Sequence, residues 1–197
     1  SEDYVRLPEI SPLIGAPNES FTVMVIFNEE YQDNSGVLLN ASYSNQTICP
    51  RVEVMNNKVG YYHRNTNSNN ESRGELFINQ NQWNNLIYIV NGNNGTLNMY
   101  LNGVLDEFST QEFNPEENYY AMDRIWDIGN WSTENNYHAF HGRIDEVLIL
   151  QESLNQDDID SLLDNNSHIQ YEKLAHYKFN AGIGTTLYDH SGNGNHG

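Results

Sequence analysis

The sequence has few basic residues and a single cysteine, and these shortages exclude several classes of protein. Of its 197 residues, 9 are Lys or Arg and 27 are Asp or Glu, which gives a formal net charge of −18. A surface of this sign repels nucleic acid and anionic membranes, so we expect neither as a partner. Cys49 cannot form an internal disulfide, and one cysteine does not indicate a redox compartment.

Long apolar runs are also missing. A membrane-spanning helix needs roughly 20 consecutive apolar residues, whereas the longest runs here are Val23–Phe27 and Val147–Leu150. We therefore expect no membrane insertion. The sequence has no signal-peptide pattern and starts at Ser1, which indicates a processed or excised fragment. The length fits one domain that can bury a core.

Asparagine, by contrast, is abundant, with 31 copies crowded between the apolar segments. In Leu86–Val90 and Thr96–Leu101, apolar residues recur at every second position, which is the pattern of half-buried strands. The five residues between these segments are all Asn or Gly, which tolerate positive φ and allow a tight reversal. The sequence therefore predicts a β-hairpin, followed by a second tight turn at Asn102-Gly103.

Other segments also have the composition of strands, being rich in β-branched and aromatic residues. Strands are predicted at Ser20–Phe27, Ser35–Asn40, Lys58–His63, Arg124–Asn130 and Leu174–Phe179. The first of these is apolar on both faces, which indicates a central position in the fold.

One helix is predicted after Leu150. Asn155 is a suitable N-cap, and Asp157 and Asp158 favour the positive end of a helix. Four apolar residues share one helical face, namely Leu154, Ile159, Leu162 and Leu163.

Four blocks of sequence resemble laminin-G-like domains of the concanavalin A-like superfamily. They are the Trp83–Leu105 hairpin, Phe21-Thr22-Val23 with Gly36-Val37-Leu38-Leu39, the run Phe140–Leu150, and the C-terminal segment Leu174–Gly197. The resemblance implies an all-β fold, an antiparallel two-sheet β-sandwich of the jelly-roll type with one short helix. The order is rotated, because the segment that resembles the opening strand and turn of the family stands at the end of this chain.

The rotated order leads us to divide the chain into residues 1–173, the laminin-G-like sandwich, and residues 174–197, a first strand and an Asn/Gly turn of the family type. The second segment either completes the same sandwich or begins or joins a neighbouring repeat. A tandem array cut out of register, a permuted domain, and donation of the strand to a neighbouring chain would each explain the order.

The resemblance also implies a structural calcium ion at the C-terminal turn. Carried over residue by residue, its ligands would be Asp189, then Asn193 or Asn195, and Asp145 or Glu146. These side chains offer the carboxylate and amide oxygens that Ca²⁺ prefers. Without a bulge, neighbouring strand residues face opposite sides, so only one of Asp145 and Glu146 should point inward. The alternative is a tight corner beside a solvated acid.

Sugar binding is the second candidate chemistry, because loop aromatics can stack on sugar rings. The candidates are Tyr119, Tyr120, Trp131 and Tyr137, whereas Trp83 and Trp126 are expected in the core. Catalysis is less well supported. Sugar-cleaving relatives on this fold carry a Glu-x-Asp-x-x-Glu strand, and residues 144–152 lack that spacing of carboxylates.

The sequence thus favours a non-catalytic, secreted or cell-surface module for recognition and adhesion. It would be a lectin-like domain stabilised by Ca²⁺ that binds a glycan or an extracellular protein. The alternative is a structural repeat of a surface filament or array, joined to neighbouring copies by strand exchange. A glycoside hydrolase is the weakest of the three hypotheses.

Overall fold

The computed structural model describes residues 4–8, 18–30, 36–43, 47–64, 69–116, 125–130, 139–164 and 170–197. Within these ranges the strands, numbered in chain order, form two antiparallel sheets. In spatial order, the first sheet contains β1 (Val5–Leu7), β11 (Ile125–Ile128), β3 (Gly36–Tyr43), β4 (Thr47–Met55), β5 (Lys58–Arg64) and β6 (Asn69–Phe77).

The second sheet contains β10 (Gln111–Glu112), β8 (Thr96–Leu101), β7 (Asn84–Asn91), β2 (Phe21–Glu29), β12 (Gly142–Leu150) and β13 (Lys173–Lys178), with β9 (Val104–Leu105) paired to β8. Among the described residues, one short α-helix, α1, spans Gln156–Leu163, and a single 3-10 turn spans Glu107–Ser109. The predicted all-β, two-sheet sandwich with one short helix is confirmed. No helix in the described part of the chain is long and apolar enough to cross a membrane.

The main core lies between the inner faces of the two sheets. Phe27 of β2 and Tyr88 of β7 meet Tyr61 of β5 and Trp126 of β11 in one buried cluster. Trp126 is 0% exposed, which confirms its predicted place in the core. The same prediction is wrong for Trp83, which is 48% exposed because it stands in the turn before β7 rather than on the strand.

A second apolar cluster covers the outer face of the second sheet. Met24 of β2, Ile87 of β7 and Leu148 of β12 pack beneath Ile159 of α1. This explains why β2 is apolar on both faces. The helix begins as predicted at Asn155, whose side chain accepts the Asp158 N–H in a reciprocal capping box.

Asn and Gly residues form the turns as the sequence indicates. Asn102 and Gly103 have φ angles of 52° and 80°, the positive pair that a tight β8–β9 reversal requires. Asn56 and Asn57, at 53° and 62°, make a similar reversal between β4 and β5. The sequence did not predict β4 as a strand.

The last described strand, β13, pairs antiparallel with β12 at one side of the second sheet. On its other side, Tyr177 forms a single bridge with Asp189. The α-helix packs on the outer face of the second sheet, and no α-helix among the described residues packs on the outer face of the first.

Candidate functional site

A continuous row of side chains crosses the outer face of the first sheet. The strand registers place neighbours side by side in the order Arg6, Asp127, Asn40, Arg51, Tyr62 and Glu71. The residues next to them along the strands, such as Trp126 and Val52, lie in the core, so alternation turns the row outward. Glu53 and Arg73 lie at the adjacent register positions. We refer to the row and these two residues together as the polar face.

Ion pairs link the strands of the polar face. Arg6 Nε donates to Asp127 Oδ1 at 3.1 Å, joining β1 to β11. Glu53 of β4 pairs with Arg51, whose Nε is 2.8 Å from Oε2, and with Arg73 of β6. Arg73 Nη2 also lies 2.7 Å from Glu71 Oε1. The charged groups therefore form connected pairs rather than isolated ions.

Gly60 allows the ion pair between Arg73 and Glu53, which spans an intervening strand. It sits on β5, directly between Glu53 of β4 and Arg73 of β6. A Cβ atom at this position would lie 3.2 Å from Arg73 Nη1 and 2.9 Å from the Ser72 carbonyl oxygen. Because glycine has no side chain, the Arg73 guanidinium can cross β5 and reach the carboxylate on β4.

The polar face is buried in its middle and exposed at its ends. Glu53 and Asp127 are 1% and 2% exposed, whereas the side chains of Arg6 and Glu71 are 46% and 47% exposed. Burial lowers the pKa of Arg51, an effect that Glu53 partly offsets. The hydrogen bond to Asp127 raises the pKa of Arg6. Burying ion pairs carries a desolvation cost that their attraction often fails to recover, so stability alone does not explain this network.

The charges on the polar face balance. Three arginines, a third of the nine basic residues of the chain, meet three carboxylates there, while the whole chain carries −18. The Arg51 guanidinium lies 5.4 Å from the centre of the Tyr62 ring. The face therefore combines a half-buried aromatic ring with fixed donors and acceptors and no net charge.

The C-terminal turn places the predicted metal ligands in a different arrangement. Asp189 Oδ1 accepts the N–H groups of His176 and Ser191 at 2.9 and 2.8 Å. Its Oδ2 accepts the Ser191 hydroxyl at 2.7 Å and the Asn195 N–H at 3.0 Å. Burial alone would raise the pKa of Asp189, but these four hydrogen bonds together lower it below its ordinary value. Both oxygens thus point at hydrogen-bond donors.

The two predicted amide ligands also face the protein with their donor groups. Asn193 Nδ2 donates to the carbonyl oxygens of Lys173 and Leu174, at 2.8 and 3.1 Å. Asn195 Nδ2 donates to the Leu174 carbonyl at 2.9 Å. These bonds satisfy backbone groups along the outer edge of β13, so the turn closes that edge.

Asp145 and Glu146 lie at a β-bulge of β12, where the register with β2 shifts between Ile144 and Glu146. Asp145 is exposed, and its carbonyl oxygen accepts the Phe179 N–H at 3.0 Å. Glu146 Oε1 is 2.5 Å from His176 Nε2, a contact that, with the positive groups nearby, lowers the pKa of Glu146. The structure thus gives Asp145 and Glu146 separate partners.

This arrangement does not fit a calcium centre. Calcium needs six to eight oxygens directed at one point, whereas N–H and O–H donors occupy the Asp189 carboxylate. Across the described ranges, no group of three or more His, Cys, Asp or Glu side chains could hold a metal ion. The contacts of this turn do not support the predicted calcium site, calcium binding itself stays untested, and we derive no function from it.

The four aromatic residues proposed for ligand binding, Tyr119, Tyr120, Trp131 and Tyr137, lie outside the described residues. The flanks of the segment that carries Trp131 and Tyr137 are described. Gly129 N–H donates to the Leu38 carbonyl at 3.0 Å, and Ala139 bridges Val37. Both attachment points therefore lie at the start of β3, within the sheet that bears the polar face.

Sequence reasoning missed the polar face itself. Its visible signal is the alternation of charge at Arg51 and Glu53, and again at Glu71 and Arg73, each pair being two residues apart on one strand. That spacing puts both members of a pair on the same side of a strand. Nothing in the sequence indicates that Arg73 of β6 reaches Glu53 of β4 across Gly60.

Comparison with known proteins agrees with this architecture. A family model described as the concanavalin A-like lectin/glucanases superfamily matches residues 1–160. No curated protein sequence matches the chain.

Solved structures share the fold at low sequence identity. A candidate carbohydrate-binding protein from Bacteroides ovatus superposes with a TM-score of 0.75 at 16% identity, over 100% of this chain and 55% of that one. The CBM40 module of the Ruminococcus gnavus IT-sialidase, bound to α2,3-sialyllactose, superposes with a TM-score of 0.62 at 16% identity, over 82% of this chain and 98% of that one. Domains LG4-5 of the mouse laminin α1 chain superpose with a TM-score of 0.62 at 11% identity, over 80% of this chain and 42% of that one. Likeness at such identities establishes the fold alone.

Proposed function

The chain belongs to the concanavalin A-like lectin/glucanases superfamily, and from this premise we propose that it is a non-catalytic glycan-recognition module. The observation that carries the proposal is the polar face. On the sheet that the helix leaves uncovered, half-buried Tyr62 lies at the exposed end of this charge-balanced face, beside Arg73 and Glu71, whose side chains are 38% and 47% exposed. An aromatic ring offers a flat apolar surface to a sugar ring, and fixed donors and acceptors can bind its hydroxyl groups.

We propose that the preferred glycans are uncharged. The three guanidinium groups that could bind an acidic sugar are already paired with Glu53, Glu71 and Asp127. The remaining surface is strongly negative and would repel carboxylated or sulfated sugars. The proposed preference for uncharged glycans therefore contrasts with the structure of the CBM40 module of Ruminococcus gnavus, which holds the acidic glycan α2,3-sialyllactose.

The absence of catalysis is part of the proposal. Glycosidases need one carboxyl group that donates a proton to the leaving oxygen and a second that attacks the sugar or activates water. Each described carboxylate of the polar face already accepts contacts from arginine, at distances such as 3.1 Å for Asp127 and 2.7 Å for Glu71. This engagement supports binding rather than proton donation.

Trp131 and Tyr137 are proposed as further contacts for the glycan. The described flanks of their segment, Gly129 and Ala139, are attached to β3, within the sheet that bears the polar face. We also propose a secreted or cell-surface location and an extracellular glycan or protein as the ligand. Joining to neighbouring copies through β13 is less favoured, because the Asp189 turn occupies its outer edge.

A glycan array that carries both neutral and acidic oligosaccharides tests the proposal. We expect binding to neutral structures that changes little with sodium chloride, since no net charge is neutralised. Incubating the bound glycans with the protein should release no new reducing ends. Binding confined to sialylated or sulfated glycans would overturn the specificity. Hydrolysis that is lost in Glu53→Gln at a temperature where this variant is still folded would overturn the non-catalytic assignment.

A further inference from the structure

A second row of side chains lies on the opposite sheet, at the end that the helix does not cover. Arg143 of β12 pairs directly with Asn28 of β2. On the other side of β2, Phe27 pairs with Asn84, the first residue of β7, so the antiparallel register brings Trp83 beside Asn28. Phe27 and Ile144 pack against the core, so alternation turns Asn28 and Arg143 outward.

The contacts in this row join an exposed indole to an ion pair. The Arg143 guanidinium lies 5.7 Å from the centre of the Trp83 ring, and its Nε is 2.8 Å from Glu30 Oε1. The turn that precedes Trp83 is fixed to β2 by a hydrogen bond from Asn81 N–H to the Glu29 carbonyl at 3.1 Å. Trp83 is therefore held at a defined place although 48% of it is exposed.

Asn28 supplies an independent observation that points to a ligand. It is 4% exposed, and its Oδ1 has no hydrogen-bond partner in the described part of the chain. A buried polar atom without a partner is costly, and few native proteins retain one without a reason. A ligand hydroxyl group between Trp83 and Arg143 would supply the missing bond.

The surrounding charges define the class of ligand. Arg143 already places a cation over the Trp83 ring, so a second cation would be repelled. Glu30 and the net charge of −18 disfavour an anion. A flat apolar ring surface, an ion pair and an amide oxygen that accepts a hydroxyl group match an uncharged sugar.

We propose that Trp83, Asn28, Arg143 and Glu30 form a second saccharide-binding site, specific for uncharged sugar rings. It lies on the outer side of the second sheet, whereas the polar face lies on the outer side of the first. The module would then present two sites facing in opposite directions and could bridge two glycan chains. The second site does not depend on the polar face for its contacts.

The test follows the indole N–H resonances of the intact chain by ¹H–¹⁵N correlation spectroscopy, with Trp83 assigned through Trp83→Phe. The probes are maltohexaose, cellohexaose and α-1,5-arabinohexaose, and trigalacturonic acid is the charged counterpart. We expect at least one neutral probe to shift the Trp83 resonance saturably. Asn28→Ala should weaken that binding about three- to tenfold without lowering the thermal midpoint, because it removes an unpaired polar group.

Two control variants separate this site from the polar face. Tyr62→Ala should leave the Trp83 titration unchanged, so failure of the polar face would not affect this result. Phe108→Ala removes a different exposed aromatic side chain, 65% exposed, and should also have no effect. The proposal is overturned if no neutral probe shifts Trp83, if trigalacturonic acid binds more tightly, or if Asn28→Ala binds as the parent does.

Discussion

Replacing Asp189 with alanine tests the reading of the C-terminal turn as a hydrogen-bonded closure of β13. The carboxylate accepts four hydrogen bonds, two of them from the N–H groups of His176 and Ser191 on Oδ1. The backbone N–H of His176 is buried, so water cannot fully replace the carboxylate as its acceptor. Leaving this donor unsatisfied should lower the free energy of unfolding by about 1–3 kcal/mol. The other donors are partly exposed and recover bonds to water.

The expected loss for Asp189→Ala is therefore about 2–4 kcal/mol in the free energy of unfolding. For a chain of this size it corresponds to a fall of about 5–15 °C in the thermal midpoint. Asp145→Ala is the matched control, because Asp145 is exposed and contributes its backbone oxygen to the fold. It should change stability by less than about 0.5 kcal/mol.

The assay is thermal and urea unfolding by circular dichroism, with calcium and with chelator, for the parent chain and both variants. The pKa of Asp189 is lowered in the folded state, so its contribution is fully present above the ordinary value of 3.8. It is lost as the pH falls through the lower folded-state value. We expect calcium to leave the midpoints unchanged. Equal stability of the two variants would refute the closure, and a calcium-dependent rise that Asp189→Ala abolishes would establish the predicted metal site instead.

The remaining predictions concern the first sheet and its edge, and urea unfolding measures all of them. Glu53→Gln should lower the free energy of unfolding by about 3–5 kcal/mol, since it leaves a buried arginine without its carboxylate. Glu71→Gln, which alters a half-exposed ion pair, should lower it by less than about 1 kcal/mol. Equal losses in the two variants would contradict the buried network. Gly60→Ala should cost about 1–3 kcal/mol through overpacking against the Ser72 carbonyl, and a neutral effect would show that the strands are not packed so closely. Asp106→Ala should cost about 2–3 kcal/mol, because its buried Oδ2 accepts two backbone N–H groups of β6 at 2.8 and 2.9 Å, and an unchanged midpoint would refute that role.

Local patterns in the sequence were sufficient to predict most of the fold. Alternation along Leu86–Val90 and Thr96–Leu101, with Asn and Gly between them, predicted the β7–β8 hairpin. Asn155 and the acids after it predicted the start of α1. These features depend on residues close together in the chain, where spacing alone sets the geometry.

The candidate sites could not be predicted in the same way, because they depend on pairing between distant strands. Nothing near Glu53 indicates that Arg73 will reach it across Gly60. The exposure of Trp83 follows from its place one residue before β7, and strand boundaries are uncertain by a few residues in sequence analysis. Which group Asp189 would bind was equally open, since the same turn offers oxygens to a metal and N–H groups to a carboxylate.

The polar face as a site for uncharged glycans is the central claim, and calorimetric titration of a neutral glycan from the array into Tyr62→Ala tests it most directly. Tyr188→Ala is the matched control, because Tyr188 is a 57% exposed tyrosine in the C-terminal segment. We predict that Tyr62→Ala weakens binding at least about tenfold, equivalent to 1.4 kcal/mol, with its thermal midpoint preserved. Equal affinity of the parent chain and Tyr62→Ala, with Tyr188→Ala weakened, would contradict the account.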